Sequence, residues 1–329
     1  MTTFAVIGAG AIGSAVAARL TGAGHDVRLL ARGARADLLE RDGIRLSSPE
    51  GRIVARPQII RSAQESPCDV LFLATKADAL PGLVPTIARM AGADTLIVPL
   101  CNGVPWWYFH GETHERKPMA AVDPEELLFR NVDPAGIVGA VVLLRCTLDE
   151  DGGVSSQGAE RLVLGEIMAG QNRDRIDDLA QVLAAAGFLA ARSDDIRADI
   201  WAKVALNLAT NPLSVVTGAT LHEMFHDPQL AVVVSAIITE TLGLAGAYGR
   251  RPAVSLEALM NIGKAAGPFM TSMAQDHANA RPLELGAIAE APFELAASAG
   301  VPMPVAQAIA RLAMHKVTPA PCRTDAQTR

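Results

Sequence analysis

Apolar and polar positions follow two different regimes along this chain. Up to about residue 192, short apolar runs such as Phe4-Ala5-Val6-Ile7, residues 27–30, Val70-Leu71-Phe72-Leu73-Ala74 and residues 95–100 are separated by stretches with helical spacing. Runs of this length bounded by turn residues predict buried strands, and their alternation with helices predicts a parallel sheet covered on both faces. Residues 44–46 and 53–60 read as two extended pieces inserted in that sheet, separated by Ser47-Ser48-Pro49-Glu50-Gly51. A helix is expected over 79–90, strands over 136–148 and 161–166, a helix over 174–186 and a strand over 188–191. From Asp194 onward the pattern becomes helix after helix, at 195–209, 228–248, 254–262, 268–277, 282–298 and 304–316. The expected fold is therefore α/β, with an N-terminal doubly wound parallel sheet of the Rossmann type over residues 1–192 and an all-helical second domain over 193–329. The tail after Val317, which carries Cys322, is expected to fray.

The first strand runs directly into Gly8-Ala9-Gly10-Ala11-Ile12-Gly13, a GxGxxG followed at once by a helix. In that context Gly8 permits the tight turn, Gly10 lets the backbone approach a pyrophosphate, and Gly13 lets the helix pack closely on the strand. The helix N-terminus adds free N–H groups and a positive dipole end for phosphates. The second strand ends in Ala31-Arg32, where an NAD site carries Asp or Glu for the ribose hydroxyls. A guanidinium suits a 2′-phosphate instead, so the expected cofactor is NADPH, held by Gly8 to Gly13 and Arg32. Lys76 and Asn102 follow the next two predicted strands and emerge on the same sheet edge, where such folds bind ligands.

Composition narrows the class. With 329 residues, 50% of them hydrophobic, each domain has material for a core. A net charge of −6 with no basic run argues against nucleic acid or an anionic membrane surface as partner. The four cysteines form no CxxC pair, which fits reduced thiols in a soluble, cytoplasmic protein. No uninterrupted apolar run reaches the roughly 18 residues of a membrane span. Trp106-Trp107-Tyr108-Phe109 reads as a loop anchored by aromatics on the domain surface, or as a lid or subunit contact, the last implying a homodimer.

The helix over 195–209 is apolar around most of its circumference, and its exceptions are spaced by four: Lys203, Asn207 and, placed just past the helix end before Pro212, Asn211. A stripe of this kind on an otherwise apolar helix is expected to line a cleft between the domains, where a lysine can donate a proton. Glu284, expected in the first turn of the helix opened by Arg281-Pro282, is its candidate partner, and Ser272 is a further polar candidate.

Together GAGAIG with Arg32, Thr75-Lys76-Ala77, Asn102-Gly103, residues 200–214 (IWAKVALNLATNPLS), Ser272-Met273-Ala274-Gln275-Asp276 and Arg281-Pro282-Leu283-Glu284 resemble the ketopantoate reductase (2-dehydropantoate 2-reductase) family over about residues 1–316. The resemblance implies NADPH and a 2-oxo acid as ligands, Lys203 as general acid, Glu284 as active-site glutamate, Asn207, Asn211 and Ser272 as substrate-binding residues, and Lys76 and Asn102 near nicotinamide and substrate. The chain also departs from the family pattern. Phe269 and Leu221 stand where pocket asparagines are frequent, Gly286 replaces a common aspartate, Ala289-Glu290 replaces Asn-Gly, and Arg145 sits at a strand end where small residues are usual. These changes point to a 2-oxo acid other than ketopantoate.

Two other classes compete. A non-catalytic NADPH-binding sensor would need neither Lys203 nor Glu284. His222-Glu223-Met224-Phe225-His226 is a literal HExxH, the signature of zinc hydrolases, but its flanks suggest a short connector rather than the helix that zinc chemistry needs, and Glu240, the nearest third ligand, belongs to another helix. No metal is expected.

Overall fold

The computed structural model describes residues 2–63, 66–112 and 117–317, so the tail after Val317 and Cys322 lie outside the described residues. The chain divides into two compact units, Met1–Ile200 and Trp201–Arg329.

In the first unit β1 (Thr3–Ile7), α1 (Ala11–Gly22), β2 (Asp26–Leu30), α2 (Gly33–Asp42), β3 (Ile44–Ser48), β4 (Gly51–Ala55), β5 (Gln58–Ile60) and β6 (Cys68–Leu73) follow in order. Two 3-10 turns, α3 (Val84–Met90) and β7 (Ala91–Pro99) come next. The parallel sheet has the order β5-β2-β1-β6-β7, with β1 at its centre between β2 and β6. Phe4, Val6, Leu29 and Phe72 are fully enclosed and pack with Val16, Ala17 and Leu20 of α1, while the alternate positions Ala5, Ile7, Leu71 and Leu73 are enclosed as well, which is why these strands are apolar on both faces. Residues 53–60 do not form one strand. Pro57, which lacks a ladder donor, separates β4 from β5, and β5 joins the main sheet while β4 does not.

The remainder of the unit holds α4 (Leu127–Asn131), β8 (Val138–Leu143), β9 (Cys146–Leu148), β10 (Val154–Ser156), β11 (Arg161–Glu166), α5 (Arg173–Ala185) and β12 (Leu189–Ser193). The expected strand over 136–148 breaks at Leu144-Arg145, so that β9 enters a second sheet, β4-β3-β10-β9, while β8 enters a third, β12-β11-β8. The helix expected over 79–90 is shorter, because Pro81 and Pro85 confine its start to 3-10 turns.

The aromatic side chains of the Trp106–Phe109 run are packed inside the first unit. Trp106, Trp107, Tyr108 and Phe109 are all at most 9% exposed. The cause is Arg197, itself buried, whose guanidinium donates to the carbonyls of Tyr108 (2.8 Å), His110 and Ile167 (3.2 Å) and pairs with Glu112 at 3.3 Å. It lies 5.4 Å from the centre of the Trp107 ring.

Helix α6 (Ile196–Thr217) leads into the second unit, which contains α7 (Leu221–His226), α8 (Pro228–Ala247), α9 (Leu256–Lys264), α10 (Ser272–Ala278), a π-helical stretch (Gly286–Glu290), α11 (Ala291–Ala299) and α12 (Pro304–Val317). Pro212 does not end α6 as expected. The helix continues for five residues beyond it, with Thr210 Oγ1 donating to Leu206 O and Thr217 Oγ1 to Leu213 O. Helix α8 is long and apolar enough to cross a membrane, with mean hydropathy 1.9 over its best window. It contacts α7, α9, α11 and α12, and its Glu240 carboxylate accepts from the N–H groups of Val305 and Ala306 at the start of α12.

Candidate active site

Four of the candidate positions fall at the carboxyl ends of four neighbouring strands. Arg32 follows β2, the glycine turn follows β1, Lys76 follows β6 and Asn102 follows β7, in the order in which those strands pair. Pairing persists to the strand ends, through Ala31 N–H to Ile60 O (3.0 Å), Ala74 N–H to Ile7 O (2.8 Å) and Leu100 N–H to Leu73 O (2.8 Å), so the loops leave from an aligned edge.

The glycine turn has the shape a dinucleotide requires. Gly8 adopts φ +110°, and a Cβ there would lie 2.7 Å from Ala74 O. At Gly13 a Cβ would fall 2.0 Å from Gly8 O, so only glycine lets α1 start this close to the strand. Above Gly10 nothing lies within 4 Å of such a Cβ, leaving open space where a pyrophosphate can meet backbone N–H groups. Thr75 Oγ1, buried beside Gly8, has no hydrogen-bond partner among the described residues and can donate at the same edge. No acidic residue stands in the first turn of α1 or of α2, so both helix N-termini keep their positive character. Arg32 is the exposed N-cap residue of α2. These features fit a dinucleotide carrying an extra phosphate.

One residue that the linear pattern does not single out also belongs here. Arg35, in the first turn of α2, donates from Nε to Ala9 O (3.1 Å) and from a terminal nitrogen to Ser14 Oγ (3.0 Å). An arginine near a helix start reads as a solvated charge in one dimension, and the contact that changes this reading exists only once α2 lies against the glycine turn.

In the second unit Lys203, Asn207 and Asn211 share one face of the uninterrupted α6, so Asn211 is inside the helix and not beyond its end. Lys203 and Asn207 are half-buried and Asn211 is 4% exposed. Ser214 Oγ donates to Asn211 O (2.7 Å) and lies 2.6 Å from Thr271 Oγ1, which caps α10 through Ala274 N–H (3.1 Å). This brings the Asn211 turn to the helix start where Ser272 stands, exposed, as first residue. Glu284 precedes its helix and does not lie in a first turn. Residues 281–284 have no regular secondary structure, and the helix opens with Leu285 and the π-helical Gly286–Glu290. The segment is tied to α10 by Arg281 N–H to Asp276 O (2.8 Å) and by the Arg281–Asp276 ion pair at 3.4 Å. Leu221 N–H donates to Phe269 O (2.8 Å), so the two apolar departures are neighbours. Arg145 is exposed, between β8 and β9.

The two units also match two family models. The one described as "Ketopantoate reductase PanE/ApbA" covers residues 4–169, and "Ketopantoate reductase PanE/ApbA C terminal" covers residues 195–317. The chain belongs to the ketopantoate reductase family. A 2-dehydropantoate 2-reductase of Mesorhizobium japonicum is 33% identical over 93% of this chain and 95% of its own length. A crystal structure of a candidate ketopantoate reductase from Ralstonia solanacearum MolK2 is 32% identical, with a TM-score of 0.88 over 96% of this chain and 97% of that one. A D-mandelate dehydrogenase solved with NADH and anilino(oxo)acetate shares the fold at 21% identity, with a TM-score of 0.82 over 96% of this chain and 98% of that one. Ketopantoate reductases are oxidoreductases acting between C=O and CH–OH, and this chain is such an enzyme.

Within this ketopantoate reductase fold the HExxH run has a different explanation. It is a helix, not a connector, and Thr220 with Glu223 forms a capping box: Thr220 N–H donates to the Glu223 carboxylate (2.7 Å) and Glu223 N–H to Thr220 Oγ1 (3.3 Å). The Thr220 backbone N–H, and then its hydroxyl, hold the Glu223 carboxyl below the usual carboxylate range. The two imidazoles stack at 3.9 Å, with His226 Nδ1 2.8 Å from His222 O. Among the described residues no three His, Cys, Asp or Glu side chains gather for a metal, and Glu240 is spent on α12.

Proposed function

We propose that this chain reduces a 2-oxo acid to the 2-hydroxy acid with NADPH, with residues 1–192 as the cofactor-binding domain and 193–329 as the domain of catalytic and substrate-binding groups. The observation that carries the reading is the alignment of Arg32, the glycine turn, Lys76 and Asn102 on four neighbouring strand ends, with open space above Gly10. Arg32, in place of a carboxylate, favours NADPH over NADH. The bound cofactor supplies the hydride from nicotinamide C4.

The protein's own groups position the acid and manage its charge. Lys203, as ammonium, donates to the C2 carbonyl oxygen, polarises it and releases its proton there as negative charge develops. That charge exists only during reduction, so the lysine stabilises the transition state more than the bound acid. Glu284 keeps the lysine charged against desolvation. Asn102, Asn207, Asn211 and Ser272 supply neutral hydrogen bonds that fix the acid's orientation without competing for the proton. Lys76 and Asn102, at the ends of β6 and β7, would hold the nicotinamide end of the cofactor.

The adjacency of Leu221 and Phe269 supports a 2-oxo acid other than ketopantoate, because an apolar wall leaves a substrate hydroxyl without a partner. The test is a panel of 2-oxo acids with NADPH and NADH, followed by loss of reduced-nicotinamide absorbance. NADPH turnover is expected to exceed NADH turnover, and Arg32→Ala to lose that preference. A ketopantoate kcat/KM above all others in the panel would return the substrate to ketopantoate; no turnover with any member would remove the reading.

A further inference from the structure

Arg35 is a half-buried cation with no counter-ion among the described residues. Its guanidinium bridges three segments: Nε donates to Ala9 O (3.1 Å) in the glycine turn, one terminal nitrogen to Ser14 Oγ (3.0 Å) in α1, and the other to Gly152 O (2.5 Å) in the turn between β9 and β10. Every acceptor is neutral. Of the carboxylates on that turn, Asp151 is paired with Arg45 at 3.2 Å and Asp149 accepts from Ser155 Oγ at 2.9 Å. Removal from water, and secondarily repulsion from Arg45, lower the affinity of Arg35 for its proton, as expected of a cation that no anion among the described residues answers.

Even partial burial of an unpaired charge is costly, and side chains of this kind pair or reach water in folded proteins. The guanidinium carries five N–H donors in a rigid fork, and three are used by the protein, which leaves two directed away from those acceptors. The held geometry matters. Arg32, three residues earlier, is exposed and bears its side chain at the helix cap, whereas Arg35 is pinned against the glycine turn before any ligand arrives. A preorganised fork loses less freedom on binding a phosphate than a solvated arginine does.

We propose that Arg35 is a second phosphate-reading residue of the cofactor site, acting with Arg32 on the 2′-phosphate of the dinucleotide, so that the preference for the phosphorylated cofactor needs both residues. This rests on the dinucleotide reading of the glycine turn.

The test compares 2′,5′-ADP with 5′-AMP, which differ only in the 2′-phosphate, by calorimetric titration of the full chain and its Arg35→Met, Arg35→Lys and Arg32→Met variants. Arg35→Met is expected to weaken 2′,5′-ADP binding by about tenfold to a hundredfold, the usual range for a hydrogen-bonded charge, and 5′-AMP binding by less than about threefold. Arg35→Lys, which keeps the charge but not the fork and is the milder change for folding, is expected to fall between, with a steeper dependence on salt. Equal loss for both ligands, or no loss in either Arg35 variant while Arg32→Met abolishes discrimination, would overturn the proposal and leave Arg35 as a brace for the turn. If the unaltered chain binds neither nucleotide, it is the dinucleotide reading itself that fails.

Discussion

Ser214 and Thr271 lie 2.6 Å apart, hydroxyl to hydroxyl, and both are buried. Ser214 spends its proton on Asn211 O, so Thr271 is the donor of the pair while its lone pair accepts from Ala274 N–H. One threonine thus caps α10 and ties it to the Asn211 turn of α6. Thr271→Val keeps the shape but removes both bonds and should cost about 1–3 kcal/mol, read as a lower urea midpoint, whereas Thr271→Ser should keep most of the stability. An unchanged midpoint in Thr271→Val would show that the pair contributes nothing.

The glycine turn separates folding from binding. Gly13→Ala places a Cβ 2.0 Å from Gly8 O and should lower stability by about 1–3 kcal/mol or more, as overpacking does. Gly10→Ala meets open space and an ordinary φ of −73°, so its melting temperature should stay close to that of the unaltered chain while its NADPH affinity falls at least tenfold. Thermal melts and nucleotide titrations on the two variants check this, and a Gly10→Ala chain that binds NADPH normally would place the pyrophosphate elsewhere.

Lys203→Ala should lower kcat by roughly 10² to 10⁴, the range of a positioned general acid, with NADPH affinity little changed. Steady-state kinetics with saturating 2-oxo acid decide the matter. A variant that keeps kcat and loses only KM would make Lys203 a binding residue.

Cys68 and Cys146 are both pushed up to about 11, chiefly by burial. At pH 8 only about one in a thousand of either is thiolate, so both should resist iodoacetamide until urea opens the fold, as peptide mass spectrometry would record. Because the folded values exceed the unfolded one, the stability these thiols contribute is present below the ordinary thiol range and is lost as pH rises from there toward about 11. Rapid labelling of Cys68 at pH 8 without urea would contradict its burial.

Much of this protein is legible in one dimension because the relevant constraints are local. The GxGxxG turn, Arg32 at the end of the second strand, and the four-residue spacing of Lys203, Asn207 and Asn211 depend on offsets within one strand-turn-helix unit or one helix, and such offsets survive in the bare sequence. The shift from alternating strands and helices to helices alone likewise marks two architectures, since strand and helix periods differ. Other features depend on partners far away in the chain. Arg197 buries the Trp106-Phe109 run from some 90 residues downstream, Pro212 is accommodated within α6, and Glu223 is spent on a capping box that a zinc motif imitates. Whether Arg35 is a solvated charge or a pinned one was decided by the approach of α2 and the β9–β10 turn to Ala9, a meeting of segments more than 100 residues apart that no local pattern encodes.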